Sequence, residues 1–142
     1  DRPGRRVLAL RVDRPGYEQD HRRVAALLRE ESAASVDHYH EVLGFTRPTL
    51  WGDPPNFAIP ERDGFSVMLS EAEGVEIAPN GRLDQWDAYF RCSGLEELYH
   101  ELEANGANIV HAPVDRPLYG MREFAVKDID GYMLAFAEDA GA

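Results

Sequence analysis

One short pattern occurs twice in this chain, and that repetition limits the folds open to it. Residues 62–69 read Arg-Asp-Gly-Phe-Ser-Val-Met-Leu, and residues 129–136 read Ile-Asp-Gly-Tyr-Met-Leu-Ala-Phe. Asp63-Gly64 and Asp130-Gly131 thus each precede an aromatic residue and an apolar strand, 67 residues apart. Upstream, Tyr39-His40-Glu41 is echoed by Tyr99-His100-Glu101, 60 residues further on, and each stretch runs into a glycine, Gly44 or Gly106. Two echoes at nearly one offset indicate a duplicated strand–helix–strands module.

The local signals fill in that module. Val24–Leu28 is a short apolar run suited to a buried strand. Ser32 is a candidate N-cap for a helix carrying Val36, Tyr39, His40 and Leu43, and Gly44 suits its C′ position. Phe45–Leu50 is expected as a strand and Trp51–Asn56 as a loop. Phe57–Ile59 and Phe65–Leu69 are then a hairpin around Asp63-Gly64. The second half repeats the order. Asp87–Cys92 is the strand, Ser93 and Glu96 suggest a capping box, and Leu95, Leu98, Tyr99 and Leu102 form a helical stripe ended by Asn105-Gly106. A strand starts at Ala107, Pro113–Gly120 reads as a loop, and Glu123–Val126 and Tyr132–Phe136 close a hairpin around Asp130-Gly131. The expected fold class is α+β: tandem βαβββ modules forming a curved mixed sheet around a cleft, with module one at 23–70, an acidic linker at 71–85 and module two at 86–138. Residues 1–22, where Asp-Arg-Pro-Gly occurs at 1–4 and 13–16, are an appendage: an extra edge strand, or an arm packing on a partner subunit.

Composition narrows the partners. A chain of 142 residues fits one domain with a real core. The net charge of −11 makes nucleic acid and anionic membrane surfaces poor partners, whereas a cationic or neutral small molecule is easier to accommodate. No apolar run approaches the roughly 18 residues of a membrane span, and the first residues contain no apolar signal-peptide region. The single cysteine, Cys92, forms no internal disulfide, which favours a reducing compartment, the cytoplasm.

At this point the sequence resembles the vicinal oxygen chelate superfamily, which contains glyoxalase I, extradiol dioxygenases, fosfomycin-resistance transferases and the bleomycin-binding proteins. The resemblance rests on Ser35-Val36-Asp37-His38-Tyr39-His40-Glu41-Val42-Leu43-Gly44-Phe45, the strand–helix boundary at Ser93, the stretch from Arg116 to Phe124, and Lys127-Asp128-Ile129-Asp130-Gly131-Tyr132. It covers Val24 to Glu138. Metal-dependent members carry His or Glu ligands on four cleft-facing strands. The resemblance places those positions at Val24, Met68, Asp87 and Ala135. Three of these have no usable donor, and a divalent metal site normally needs about three protein ligands. The resemblance is therefore closest to the metal-free bleomycin-resistance-like members, with no cofactor, no metal and no assigned catalytic residue, and it implies a homodimer.

Strand alternation then fixes what would line the cleft. Asp87, Tyr89 and Arg91 face it, as do Ser66, Met68, Ser70, Met133 and Ala135, while Ala88, Phe90, Cys92, Leu134 and Phe136 fit the helix-packed core. Trp51, Phe57, Trp86, Tyr119 and Met121 add aromatic and thioether surface from loops. Such a groove, mostly apolar with one acid, suits a small-molecule ligand. The competing reading makes Trp51 and Trp86 plugs or interface residues, Met68 core filler, and Asp87 the ion-pair partner of Arg91. His38, His40 and His100 belong to helices outside the cleft, and His21 and His111 lie at module edges. The expected function is binding or sequestration of a small molecule, a cationic antibiotic among the candidates. The alternative is an enzyme of the same superfamily (lyase, isomerase or dioxygenase-like) with Asp87 as acid/base.

Overall fold

Alternating apolar residues build two mixed sheets, and both helices cover the same side of them. The computed structural model describes residues 11–12, 23–29, 32–47, 49–53, 56–71 and 76–141. The first half contains β2 (Arg23–Arg29), α1 (Ser32–Glu41), β3 (Leu50–Trp51), β4 (Phe57–Ala58), β5 (Glu61–Arg62) and β6 (Phe65–Glu71). The second contains β7 (Ala88–Arg91), α2 (Leu95–Ala104), β8 (Asn108–Arg116), β9 (Met121–Lys127) and β10 (Met133–Asp139). Sheet order is β2-β6-β4-β3, with β5 on β6, and β1-β7-β10-β9-β8, where β1 is Arg11–Val12. In each half the first and last strands are parallel and the other pairs antiparallel. The repeat holds in register: Ala25 stands opposite Val67 as Ala88 stands opposite Leu134.

The part of the N-terminal appendage that is described is the extra edge strand. Arg11 and Val12 pair antiparallel with Arg91 and Phe90. The rest of that appendage, His21 included, lies outside the described residues. No helix among the described residues is long and apolar enough to cross a membrane.

A single core joins the halves. Phe65 of β6 meets Phe90 of β7 edge-to-face at 5.8 Å, and Phe136 stacks on both Phe90 and Phe124 at 5.2 Å. Each such ring contributes about 1.5–3 kcal/mol by leaving water. Polar ties cross the same boundary. The Tyr39 hydroxyl donates to Asp128 Oδ2 at 2.7 Å, and Arg62 donates to both oxygens of Glu101 at 2.6 and 3.1 Å.

The two Asp-Gly turns are built differently. Asp63 (φ 50°) and Gly64 (φ 82°) are both left-handed, as a two-residue turn between twisted strands requires. In the second turn only Gly131 is left-handed (φ 89°), and Asp128 Oδ1 holds the loop by accepting from the N–H groups of Asp130 and Tyr132.

Three local expectations are corrected. Phe45–Leu50 is not one continuous strand: among its described residues only Leu50 lies in a strand, Leu50–Trp51, while Phe45 is buried in the core and its N–H is spent on Tyr39 O closing the helix end. Pro113 does not start a loop. β8 runs through it to Arg116, which an edge strand with register shifts on both sides of His111 tolerates. Ser93 does not cap α2. Gly94 is the N-cap at φ 75° with no side-chain bond, and Glu138 of β10 accepts from the Leu95 N–H at 3.2 Å instead.

Candidate functional site

On sheet two, the β1-β7-β10-β9-β8 sheet of the second half (sheet one being β2-β6-β4-β3), alternation separates the faces cleanly. Ala88, Phe90, Phe124, Val126, Leu134 and Phe136 join the helix-side core, while Ala125, Met133 and Ala135 form a second cluster on the other face with Tyr89 and Val110. That other face opens into a groove of about 540 Å³. Trp86 and Tyr119 form its aromatic walls, with Met133 and Val110 as apolar surface and Asp84, His111, Asp115 and Arg116 as polar groups. The ring of Trp86 packs on Tyr89 at 4.6 Å and meets Tyr119 edge-to-face at 6.2 Å. Both walls keep free surface: Trp86 is 41% exposed and Tyr119 43%.

Asp87 sets this wall rather than serving as a free acid. Its Oδ1 accepts from the Asn80 N–H at 2.8 Å. Its Oδ2 accepts from the N–H groups of Gly81 at 2.9 Å and Met133 at 2.8 Å. The carboxylate thereby pins a 3₁₀ turn (Asn80–Leu83) to the start of β10, and Asn80 Nδ2 donates to Trp86 O at 3.2 Å. Gly81 is required at this crossing, since a Cβ there would overlap the Gly131 carbonyl. The expected linker at 71–85 is therefore partly structural, and its residues supply one groove wall. The Asp87–Arg91 ion pair considered from sequence does not form. Arg91 Nη2 instead donates to Met121 Sδ at 3.6 Å and lies 3.9 Å from Asp139.

The acid that the sequence reading passed over is Glu123, in the middle of β9. Its side chain is fully buried, on the groove-side face between Phe124 and Arg122. Oε1 accepts from the Tyr119 hydroxyl at short range and from Tyr89 at 3.4 Å. Among the described residues Oε2 accepts no hydrogen bond, and the nearest cation is Arg116, with Nε at 3.9 Å. Desolvation, reinforced by the bond to Glu123, pushes the Tyr119 hydroxyl up to about 12. Desolvation and then the charge of Glu123 raise Tyr89 further. Both phenols therefore stay protonated at neutral pH and act as donors to the acid.

The remaining sequence candidates fall elsewhere. Trp51 and Phe57 are strand residues of β3 and β4 that pack on each other at 5.7 Å, and with Met68 they belong to sheet one, outside this groove. Met121 is not a loop residue; it opens β9 and is buried. His111 was placed at a module edge and instead lines the groove from β8. The positions carried over from metal-dependent relatives do not fit a divalent ion. Met68 and Ala135 offer no hard donor, Asp87 is engaged by backbone, and Val24 has no donor atom at all. Among the described residues, no group of three His, Cys, Asp or Glu side chains is arranged to hold a metal.

Comparison with known proteins fits this architecture. A sequence model of the Glyoxalase/Bleomycin resistance protein/Dioxygenase superfamily matches residues 22–136. No curated protein matches the chain. Among solved structures, an integron cassette protein from the mobile metagenome of the Halifax Harbour sewage outfall aligns at 23% identity and TM-score 0.66, over 81% of this chain and 95% of that one. A glyoxalase/bleomycin resistance protein/dioxygenase from Nocardioides aligns at 20% and 0.63, over 84% and 83%. TioX from Micromonospora sp. ML1 aligns at 23% and 0.60, over 84% and 96%. At these identities the likeness is one of fold.

Proposed function

The chain belongs to the glyoxalase/bleomycin resistance protein/dioxygenase superfamily, and from that premise we propose that it binds a small ring-bearing molecule against Trp86 and Tyr119 without transforming it. The observation that carries this reading is the pair of half-exposed rings, set edge-to-face, beside a groove of about 540 Å³ that the largely buried Met133 helps to line. That volume lies within the range of about 300–1,000 Å³ common for small-molecule sites, and aromatic faces stack on flat rings with little loss of side-chain freedom. Sequestration of an antibiotic, as in the bleomycin-binding members, is the finer form of the reading, and the net charge of −11 favours a cationic one.

The enzymatic alternative with Asp87 as acid/base is opposed by the three backbone N–H groups that occupy its oxygens. A proton acceptor must reach the substrate proton with a free lone pair, and three of this carboxylate's are already engaged by backbone donors.

The test is tryptophan emission in a Trp51→Phe background, so that Trp86 alone reports. Planar aromatic antibiotics should quench it saturably, and at about 100 times the dissociation constant they should stabilise the fold by about 2.7 kcal/mol. Trp86→Ala and Tyr119→Ala should each weaken binding about three- to tenfold, measured by calorimetry. Compounds that bind with unchanged affinity in both variants would place the site elsewhere.

A further inference from the structure

Glu123 is a buried acid of the groove region that the described residues leave incompletely answered. Buried carboxylates are normally paired and fully hydrogen-bonded, because an unpaired one costs several kcal/mol. Here one oxygen is held by two phenols, while the other accepts no hydrogen bond among the described residues and looks toward Arg116 across 3.9 Å. Tyr119, which donates to Oε1, and Arg116, which stands nearest Oε2, are themselves groove-lining.

The internal repeat shows that the fold does not demand an acid here. Glu123 stands opposite Ala137 on the neighbouring strand, and Phe57 stands opposite Ser70 in the first half. Ala137 and Ser70 are 67 residues apart, the repeat offset, so Glu123 occupies the place that Phe57 fills in sheet one. One half uses the position for an aromatic contact with Trp51, the other for a buried charge.

We infer that Glu123 anchors the cationic nitrogen of the ligand, an ammonium or amidinium carried on a short arm from an aromatic ring. The inference rests on the groove reading and adds the charge class. In the free protein, Arg116 stands in loosely for that cation. Among the described residues it is the only Arg or Lys lining the groove, and 41% of its side chain is exposed, so it can swing outward. The two rim acids are already answered: Asp84 by Lys127 at 3.0 Å and Asp115 by Arg122 at 3.1 Å. Arg91, on the same face, is turned toward Met121 and Asp139. Tyr119 links the two parts of the site, its ring forming the wall and its hydroxyl bonded to the acid. A ligand ring on that wall and an ammonium one carbon away would reach Oε2 as Arg116 withdraws, giving a charge-assisted hydrogen bond where none exists now.

The experiment is calorimetric titration of the full chain with 2-naphthylmethylammonium and its neutral counterpart, 2-naphthylmethanol. The wild type should prefer the cation. Glu123→Gln should weaken cation binding about 10- to 100-fold and leave the alcohol within about twofold. Tyr119→Phe keeps the ring and removes one of the two donors to Oε1, leaving Tyr89, so it should tighten cation binding about threefold or more relative to the alcohol. A purely structural Glu123 would not produce that gain. Equal loss of both probes in Glu123→Gln, or unchanged cation binding, overturns the inference. If Glu123→Gln fails to fold by circular dichroism, Tyr119→Phe decides, and cation affinity at or below wild type overturns it. Both probes binding equally well to the wild type, with Trp86→Ala weakening each, sinks the charge assignment and leaves the groove standing. Neither probe binding sinks both.

Discussion

Removing the Asp87 carboxylate should loosen the fold and the groove wall together. Asp87→Ala deletes the acceptor of three backbone N–H groups. Asn80 is exposed, so its N–H is rehydrated at little cost. Gly81 and Met133 are buried, and their N–H groups lose a charged partner where water cannot readily follow. At about 1–2 kcal/mol for each of these two bonds, discounted from the full charged-group value because Asp87 is itself partly exposed, the cost is about 2–4 kcal/mol. For a chain of this size that lowers Tm by about 5–12 °C. Asp87→Asn keeps one oxygen for Gly81 and Met133 but turns an amide N–H toward that of Asn80, so it should fall near the middle of that range. In the Trp51→Phe background, both variants should shift Trp86 emission to the red in the same order, because the turn that carries Trp86 is no longer pinned to β10. The reasoning fails if Asp87→Ala melts within about 1 °C of wild type with unchanged emission. An acid/base role would show the opposite pattern: an intact fold and intact Trp86 environment in Asp87→Asn, with turnover abolished.

Gly44→Ala should cost about 2–4 kcal/mol in urea unfolding, since φ is +77° and a Cβ would overlap the Arg62 guanidinium that pairs with buried Glu101, whereas Gly106→Ala, at +84° with open space, should cost only about 1–2 kcal/mol. Burial, then the nearby Glu138, pushes the Cys92 thiol from 9.0 up to about 12, so iodoacetamide at pH 8 should label the folded chain at least about 100-fold more slowly than the urea-unfolded chain. The same shift, with that of Tyr119 from 10.0 to about 12, destabilises the fold in alkali: the unfolded chain loses these protons first, so stability is full below about pH 9 and falls as pH rises toward about 12, as Tm against pH will show.

The repeated Asp-Gly pairs and the alternation after them were enough to give the fold class, the strands that follow each turn and the two faces of those strands, because period-two patterning and tight turns are local; the division into two sheets and their registers came only from the structure. What failed was also local in the pattern but tertiary in cause. Phe45 reads as a strand residue yet is buried from an irregular segment, and Ser93 reads as a cap while a carboxylate from β10 does the capping. The site was legible only in part. Trp86, Tyr119 and Met133 do share one groove. Asp87 was read as a cleft-facing acid, but its carboxylate is engaged by the N–H groups of Met133 and of residues 80 and 81, which looked like linker. Glu123 was missed because Met-Arg-Glu-Phe-Ala-Val resembles an ordinary half-exposed strand. The available signal was its period-two companionship with Met121 and Ala125, an acid in an otherwise apolar row.

That acid offers a last prediction in which stability and binding move apart. Replacing a buried charge with an apolar side chain of similar volume is often neutral or stabilising by about 1–4 kcal/mol, whereas breaking a well-made ion pair is costly. Glu123 is poorly paired at Oε2, its phenolic donors include the half-exposed Tyr119, and its counterpart in the other half is the apolar Phe57. Glu123→Met should therefore leave Tm unchanged or raise it, while abolishing the preference for 2-naphthylmethylammonium over the alcohol. Strain kept at a place where the fold would accept a neutral residue is the expected signature of a group retained for binding. A loss above about 2 kcal/mol on denaturant unfolding would mean instead that the Tyr89–Glu123–Tyr119 hydrogen bonds hold the β8–β9 turn, and that the acid serves the scaffold.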